Sequence, residues 1–252
     1  MNHPDPIAFS IGNFDVRWYG VLIASAMLIG ILIACKRAPH HNLTDEDVLD
    51  TVVWMLPLAV VGARAYYVLF NLDLYDSFAA AINIRNGGLA IHGSLIFAVA
   101  TVFVVCKRKK ISTLDMMDLL IPVTALGQAI GRWGNFFNGE AHGGPTTLPW
   151  GIMVNGVKVH PTFLYESIWC LLLFIFLSWF AKNRRQFKGQ IISLYGILYS
   201  IERFFVESLR TDSLMIGPFK QAQVLSLVVI IVSIVLYTYC KKHYKLDHVG
   251  YM

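Results

Sequence analysis

Gly127-Gln128-Ala129-Ile130-Gly131-Arg132-Trp133-Gly134-Asn135-Phe136-Phe137-Asn138-Gly139-Glu140-Ala141-His142-Gly143-Gly144 begins as the end of an apolar segment able to enter a bilayer, then carries an arginine, two asparagines and a glutamate. Hydrocarbon offers no hydrogen bonds, so a guanidinium at membrane depth needs a protein interior or a wet cavity with a counter-charge. Arg132, Asn135 and Asn138 follow at i, i+3 and i+6, which keeps successive neighbours on roughly one helical face. Gly127, Gly131 and Gly134 let other helices approach closely. Two readings of Arg132 stand together: an arginine that knits helices through backbone carbonyls, and a member of a functional site.

Around this stretch the chain reads as an integral membrane protein. Hydrophobic residues make up 56% of 252 and charged residues 15%, with a mean hydropathy of +0.56, far above that of a soluble domain. The net charge of +5 does not point to nucleic acid, because the basic residues lie in short runs between apolar segments, as in cytoplasmic loops of membrane proteins. Cys35, Cys106, Cys170 and Cys240 fall in or at the ends of apolar segments without metal-ligand spacing and read as small hydrophobes. Asp5 and Asp15 precede the first apolar segment and no basic run does, so the first span is expected to be retained, not cleaved as a leader.

Seven apolar segments approach the ~20 residues a spanning helix needs: about 17–35, 48–71, 88–106, 116–138, 166–181, 189–207 and 221–240. No repeat or soluble domain interrupts them, so the expectation is an all-α, polytopic protein with a single catalytic domain over 1–252 and an extracytoplasmic connection at about 139–165. Lysines and arginines number 2, 4, 4 and 3 in segments 36–47, 107–115, 182–188 and 241–252, against 0, 1, 1 and 2 in 1–16, 72–87, 139–165 and 208–220. The bias predicts the N-terminus outside and the C-terminus in the cytoplasm.

That orientation gives the remaining charges a depth. Arg64, Arg132 and Arg203 lie ~24, ~24 and ~21 Å along their outward-running spans at 1.5 Å per residue. Arg17, Tyr19 and His92 lie near the starts of the inward-running ones. All therefore reach the outer leaflet, although Arg17 is expected to snorkel to the interface. Arginines grip phosphate with a planar fork of donors, so this clustering predicts a site for an anionic phospholipid head group. Glu140, Glu166 and Glu207 are the candidate counter-charges. His92 reads either as a proton carrier near neutral pH or as an interhelical hydrogen-bonding residue. Asp115 and Asp118 are expected to complement the N-terminus of span four, and Trp18, Trp133 and Trp150 to sit in the outer aromatic belt. No HExxH, GxSxG or paired intramembrane aspartates occur, against zinc, serine and aspartyl hydrolysis in their common forms.

Gly131-Arg132-Trp133-Gly134-Asn135-Phe136-Phe137-Asn138-Gly139-Glu140, followed by Gly143 and Gly144, resembles the signature of the prolipoprotein diacylglyceryl transferase family. The likeness extends through Arg17-Trp18-Tyr19-Gly20, Gly62-Ala63-Arg64 with Tyr67-Val68-Leu69-Phe70, Gly87-Gly88-Leu89-Ala90-Ile91-His92-Gly93, His160-Pro161-Thr162 with Tyr165-Glu166, and Arg203-Phe204-Phe205-Val206-Glu207 with Arg210. The resemblance implies a bacterial inner-membrane enzyme whose site faces the extracytoplasmic leaflet. It would move the diacylglyceryl group of phosphatidylglycerol to the lipobox cysteine of a preprolipoprotein signal peptide, forming a thioether and releasing glycerol-1-phosphate. No cofactor, metal or nucleic acid is implied, and the partners are the two substrates and the bilayer.

By the same resemblance Arg132 and Arg203 bind and stabilise the phosphate and His92 is the candidate base for the thiol. Tyr19, Asn135, Glu140, Gly143, Gly144, Glu207 and Arg210 complete the substrate-binding set, with Arg64 added from its depth. The chain departs from the family pattern at Ser94, where a second glycine is common, and at Ala141-His142. An anion transporter using the same arginines, or a non-catalytic lipid-binding protein, are the competing readings. The first would need an inner gate, and the second would leave the head group intact.

Overall fold

The structure, a computed structural model, describes residues 4–12, 14–84, 87–211 and 213–246. Helices dominate: α1 (Trp18–Arg37), α2 (Asp45–Leu69), a short α3 (Phe78–Ile82), α4 (Ile91–Lys109), α5 (Thr113–Phe137), α6 (Thr162–Asn183), α7 (Gln190–Leu209) and α8 (Gln221–His243). Three small antiparallel hairpins sit between or before them, β1 (Ile7–Ile11) with β2 (Phe14–Arg17), β3 (Ile152–Val154) with β4 (Val157–Val159), and β5 (Met215–Ile216) with β6 (Phe219–Lys220). Six helices, α1 with the turn after it, α2, α4, α5, α6 and α8, are long and apolar enough to cross a membrane. Their outward faces suit lipid: Leu28 and Leu32 on α1 and Ile231 and Val235 on α8 are all more than half exposed.

Two of the boundaries expected from the sequence move for identifiable reasons. Gly87 and Gly88 have φ of +80° and +76°, incompatible with a right-handed helix, so α4 starts at Ile91 and not at 88. Helix α6 begins four residues earlier than the apolar run suggested. Pro161 takes its N-cap position and the Thr162 hydroxyl donates to the Ala141 carbonyl at 2.6 Å. Tyr165 and Glu166 therefore lie within the helix, where hydropathy placed them before or at its edge.

The chain forms two compact units, Met1–Ala34 with Met117–Met252, and Cys35–Met116. In the second, α2 and α4 make a close antiparallel pair. A Cβ on Gly93 would stand 2.1 Å from the Gly62 carbonyl oxygen, and one on Gly62 would stand 2.3 Å from the Phe97 ring, so the backbones approach as only glycine allows. Thr44 and Asp47 form a reciprocal capping box that starts α2. At that same end Lys109 reaches across to Asp47 at 2.8 Å and Asp50 at 2.5 Å.

In the larger unit, α7 packs against α6 and α8, with the Ser233 hydroxyl of α8 filling the space left by Gly196. Helix α1 lies along α5, where Val123 fits beside Gly30, Ile23 beside Gly131 and the Tyr19 ring beside Gly134. Asp118 does not act on its own helix as expected. Its Oδ1 accepts the backbone N–H groups of Ile191 and Ile192, and its Oδ2 those of Gly189 and the Arg185 guanidinium, all at 2.8–3.0 Å. The carboxylate caps α7, satisfying N–H groups that a helix start otherwise leaves orphaned.

Asp118→Ala should therefore take the carboxylate from a buried guanidinium and uncap α7 together. Breaking one partner of such a pair costs about 3–5 kcal/mol, and thermal unfolding in detergent should show a large fall in Tm. A Tm within a degree or two of the unsubstituted protein's would contradict the capping role.

Candidate active site

A single stripe runs down α7 at four-residue spacing: Tyr195, Tyr199, Arg203 and Glu207. Facing it are Gln128 and Arg132 on α5 and Glu166 and Cys170 on α6. At the N-terminal end of the stripe the Tyr195 hydroxyl donates to Gln128 Oε1 at 2.7 Å, with Cys170 Sγ 3.9 Å from the same oxygen. Tyr199 stacks on Tyr195 at 5.3 Å and stands beside Arg132.

One turn further on, the guanidinium groups converge. Glu166 is fully buried, and its Oε2 accepts Arg132 Nη2 and lies 3.3 Å from Arg203 Nη1; Arg210 Nη1 lies 3.9 Å from its Oε1. Arg203 also pairs with Glu207 Oε2 at 2.5 Å. Three cations thus gather about one carboxylate, and the Arg132 and Arg203 side chains remain about one-fifth exposed. Guanidinium N–H groups not turned toward glutamate are preorganised for a further anion.

The surrounding backbone holds this cluster in place. Ser167 donates to the Ala129 carbonyl at 2.8 Å and accepts Trp133 Nε1 at 3.1 Å, so Trp133 locks α5 to α6. Gly143 N–H donates to His160 and Gly144 N–H to Leu209, each at 2.8 Å, and Gly143 bridges Arg210. A Cβ on Gly143 would sit 2.7 Å from that of His160, so the glycine is required for the connection between α5 and α6 to reach the end of α7. Lys220 Nζ donates to the Glu207 and Arg210 carbonyls at 2.7 Å, closing the C-terminus of α7. Sequence reasoning passed over Lys220, whose isolated position gave no signal, and the tyrosine stripe, whose i+4 spacing did.

Asn135 and Glu140 also come together, with a difference from expectation. Among the described residues Glu140 pairs with no arginine; its Oε1 accepts the amides of Asn135 at 3.0 Å and Asn138 at 3.1 Å, closing the C-terminal end of α5. Beside it, Phe136 and Phe163, each one turn from Arg132 and Glu166 on the same helices toward the α5–α6 connection, stack at 4.7 Å. With Glu140, His142 and β3 they line a cavity of about 200 Å³. Tyr19 is half-exposed against Gly134.

Arg64 and His92 belong to the other unit. Arg64 is buried and donates to the carbonyls of Ala80, Ala81, Gly87 and Gly88 at 2.7–3.1 Å, with its guanidinium 4.9 Å from the Tyr75 ring centroid. It ties down the connection between α2 and α4. His92, exposed in the first turn of α4, has its ring 5.9 Å from that of Tyr66.

Residues 6–239 match the family model described as prolipoprotein diacylglyceryl transferase. The chain belongs to this family. It is similar to the phosphatidylglycerol–prolipoprotein diacylglyceryl transferase of Finegoldia magna, with 53% identity over 94% of this chain and 96% of that protein. The protein of the same name from Clostridioides difficile is 50% identical over 96% and 97%, and one from Clostridium perfringens 49% over 92% of each. The family is one of transferases, and the chain is a transferase with membrane helices that serves lipoprotein biosynthesis.

Glu166→Ala should remove the shared carboxylate and lower stability by about 3–5 kcal/mol, as for other buried ion pairs broken on one side, read as thermal unfolding in detergent. Arg64→Ala should instead speed protease cleavage within residues 70–90. Unchanged cleavage there would show that the four carbonyl contacts do not order the segment.

Proposed function

We propose that the protein transfers the sn-1,2-diacylglyceryl group of phosphatidylglycerol to the lipobox cysteine thiol of a preprolipoprotein, the first step of bacterial lipoprotein maturation. The observation that carries the reading is the convergence of Arg132, Arg203 and Arg210 on one buried carboxylate. Glu166 and Glu207 fix the guanidinium planes of Arg132 and Arg203 before any ligand arrives, so a phosphodiester meets them with little reorganisation. Relatives of half-identical sequence whose names specify the same two substrates support the choice of phosphatidylglycerol and prolipoprotein.

The substrate cysteine attacks the glyceryl carbon bonded to the phosphate oxygen. A C–S bond forms, the C–O bond breaks, and its electron pair leaves on glycerol-1-phosphate. Charge grows on that phosphate as the bond stretches, which is where Arg132 and Arg203 act. The thiol proton goes to a base, for which His92 is the candidate. Asn135, Glu140, Gly143, Gly144, Glu207, Arg210, Tyr19 and Arg64 bind substrate or shape the site.

In this reading α7 is a span too, the sixth in chain order, and brings the number to seven. Its charged residues disqualify it on apolarity alone, yet Glu202, Val206 and Glu207 are buried and not lipid-facing, which makes a spanning position tolerable. The N-terminus then lies outside and the C-terminus in the cytoplasm of a bacterial inner membrane. The arginine cluster faces the extracytoplasmic leaflet, where the signal-peptide cysteine emerges.

Purified protein with phosphatidylglycerol and a lipobox peptide should yield glycerol-1-phosphate and a peptide carrying diacylglyceryl on sulfur by mass spectrometry. Arg132→Ala and Arg203→Ala should each reduce the rate by at least about 100-fold, the scale for losing one charge-stabilising donor. Full activity in either variant would reject the phosphate role.

A further inference from the structure

Four consecutive residues, Gly151 to Val154, line the cavity beside Phe136 and Phe163, and no residue of β4 does. A cavity over a face of the hairpin would meet alternate residues of both strands, so this one opens along the edge of β3 that faces away from β4. The register fixes what that edge presents. Asn155 and Gly156, with φ of +49° and +80°, make a two-residue turn between Val154 and Val157. Such a turn sets those valines as a hydrogen-bonded pair and, by alternation, Ile152 and Val159 as the next. Met153 then stands opposite Lys158 in a non-bonded pair, with its N–H and C=O directed away from β4. Lys158 shows the same parity, because its carbonyl accepts the Thr146 N–H at 2.8 Å on the far side of β4. Among the described residues β4 therefore has a backbone neighbour on both sides and β3 on one side alone.

We propose that the edge of β3 at Met153 is where the acceptor peptide docks, as an extended strand bonded main chain to main chain, with one of its apolar side chains in the cavity. This rests on the reading that the acceptor is a signal peptide, and adds to it the surface that receives the chain. An N–H and a C=O presented by one residue of a strand edge are matched in spacing and direction by the backbone of an added strand. Strand β3, Ile-Met-Val, carries neither charge nor proline to turn such a strand away. Glu140, on the cavity wall and paired there with amides, sets a carboxylate where a phosphate would be repelled, so the lipid head group belongs with the arginines and the peptide here. Phe136 and Phe163 connect the two places. Each is about one helical turn, roughly 5 Å, from Arg132 or Glu166, a distance that an extended chain covers in about two residues. A peptide bonded at Met153 and passing these rings brings a nearby residue to the arginine cluster.

A peptide series tests the docking on the unsubstituted protein. Lipobox peptides in which each backbone amide in turn is replaced by an ester lose one N–H donor and keep every side chain. With phosphatidylglycerol in detergent, the ester at one position should raise KM for the peptide roughly three- to tenfold, the scale of one main-chain hydrogen bond. Esters at the two adjacent positions, whose N–H groups point the other way, should stay within about twofold. KM for phosphatidylglycerol should not move. From the protein side, Met153→Pro removes the N–H at a position outside the β3–β4 ladder, where a strand edge tolerates proline, and should raise the peptide KM by the same amount or more.

A flat ester series in a protein that lipidates the unmodified peptide overturns the docking and leaves the transferase reading standing. The series needs no variant, so it decides the matter even where Met153→Pro fails to fold. A folded Met153→Pro variant with unchanged peptide KM overturns the docking as well, and one that raises KM for phosphatidylglycerol in place of the peptide's gives the cavity to the lipid and overturns it too. Where the unmodified peptide binds and is not lipidated, the transferase reading fails and the same series, read as Kd, decides the docking alone. A peptide that does not bind overturns both.

Discussion

One carboxylate, that of Glu166, makes the interior of the larger helical unit possible. Three guanidinium groups from α5, α7 and the end of α7 could not share a bundle among apolar neighbours without it, because each would be a desolvated cation repelling the other two. With it, Arg132, Arg203 and Arg210 become a fixed array whose remaining donors are directed by pairing and not by solvent. The site and the packing of the helices are consequently the same problem solved once.

The rest of the unit keeps α7 from shifting against that carboxylate. Asp118 accepts four donors at its start, and Lys220 donates to two carbonyls at its end. Between these caps, Gly196 admits Ser233 from α8, while Ser167 and Trp133 join α6 to α5. A helix that carries its functional groups on one stripe gains directional precision when it is pinned at both termini. The glycines at 143 and 144 then bring the connection between α5 and α6 against the end that carries Arg210.

Much of this was open to a reader of the chain. Lengths of apolar sequence exposed all seven long helices within a few residues, because burial in hydrocarbon demands unbroken apolarity. The positions of Arg132, Arg203 and Glu207 stood out because charge there is expensive. The start of α6 was misplaced, since Thr162, Tyr165 and Glu166 lower the local hydropathy while remaining inside the helix. Asp118 was assigned to its own helix because proximity in sequence is visible and proximity across 71 residues to Gly189 is not. Glu140 was taken for a counter-charge, although its partners proved to be the two asparagine amides nearest it.

Composition and spacing alone determined that this is a helical membrane protein, that certain cations fall within its apolar segments, and that its motif blocks resemble one transferase family. Those are properties of single segments, set by each segment's own transfer energy and period. Tertiary structure alone decided that Arg132, Arg203 and Arg210 meet on Glu166, and that Arg64 donates to carbonyls of its own unit. Such facts depend on which helical faces oppose one another, and the pairing of faces is fixed by packing between segments distant in the chain.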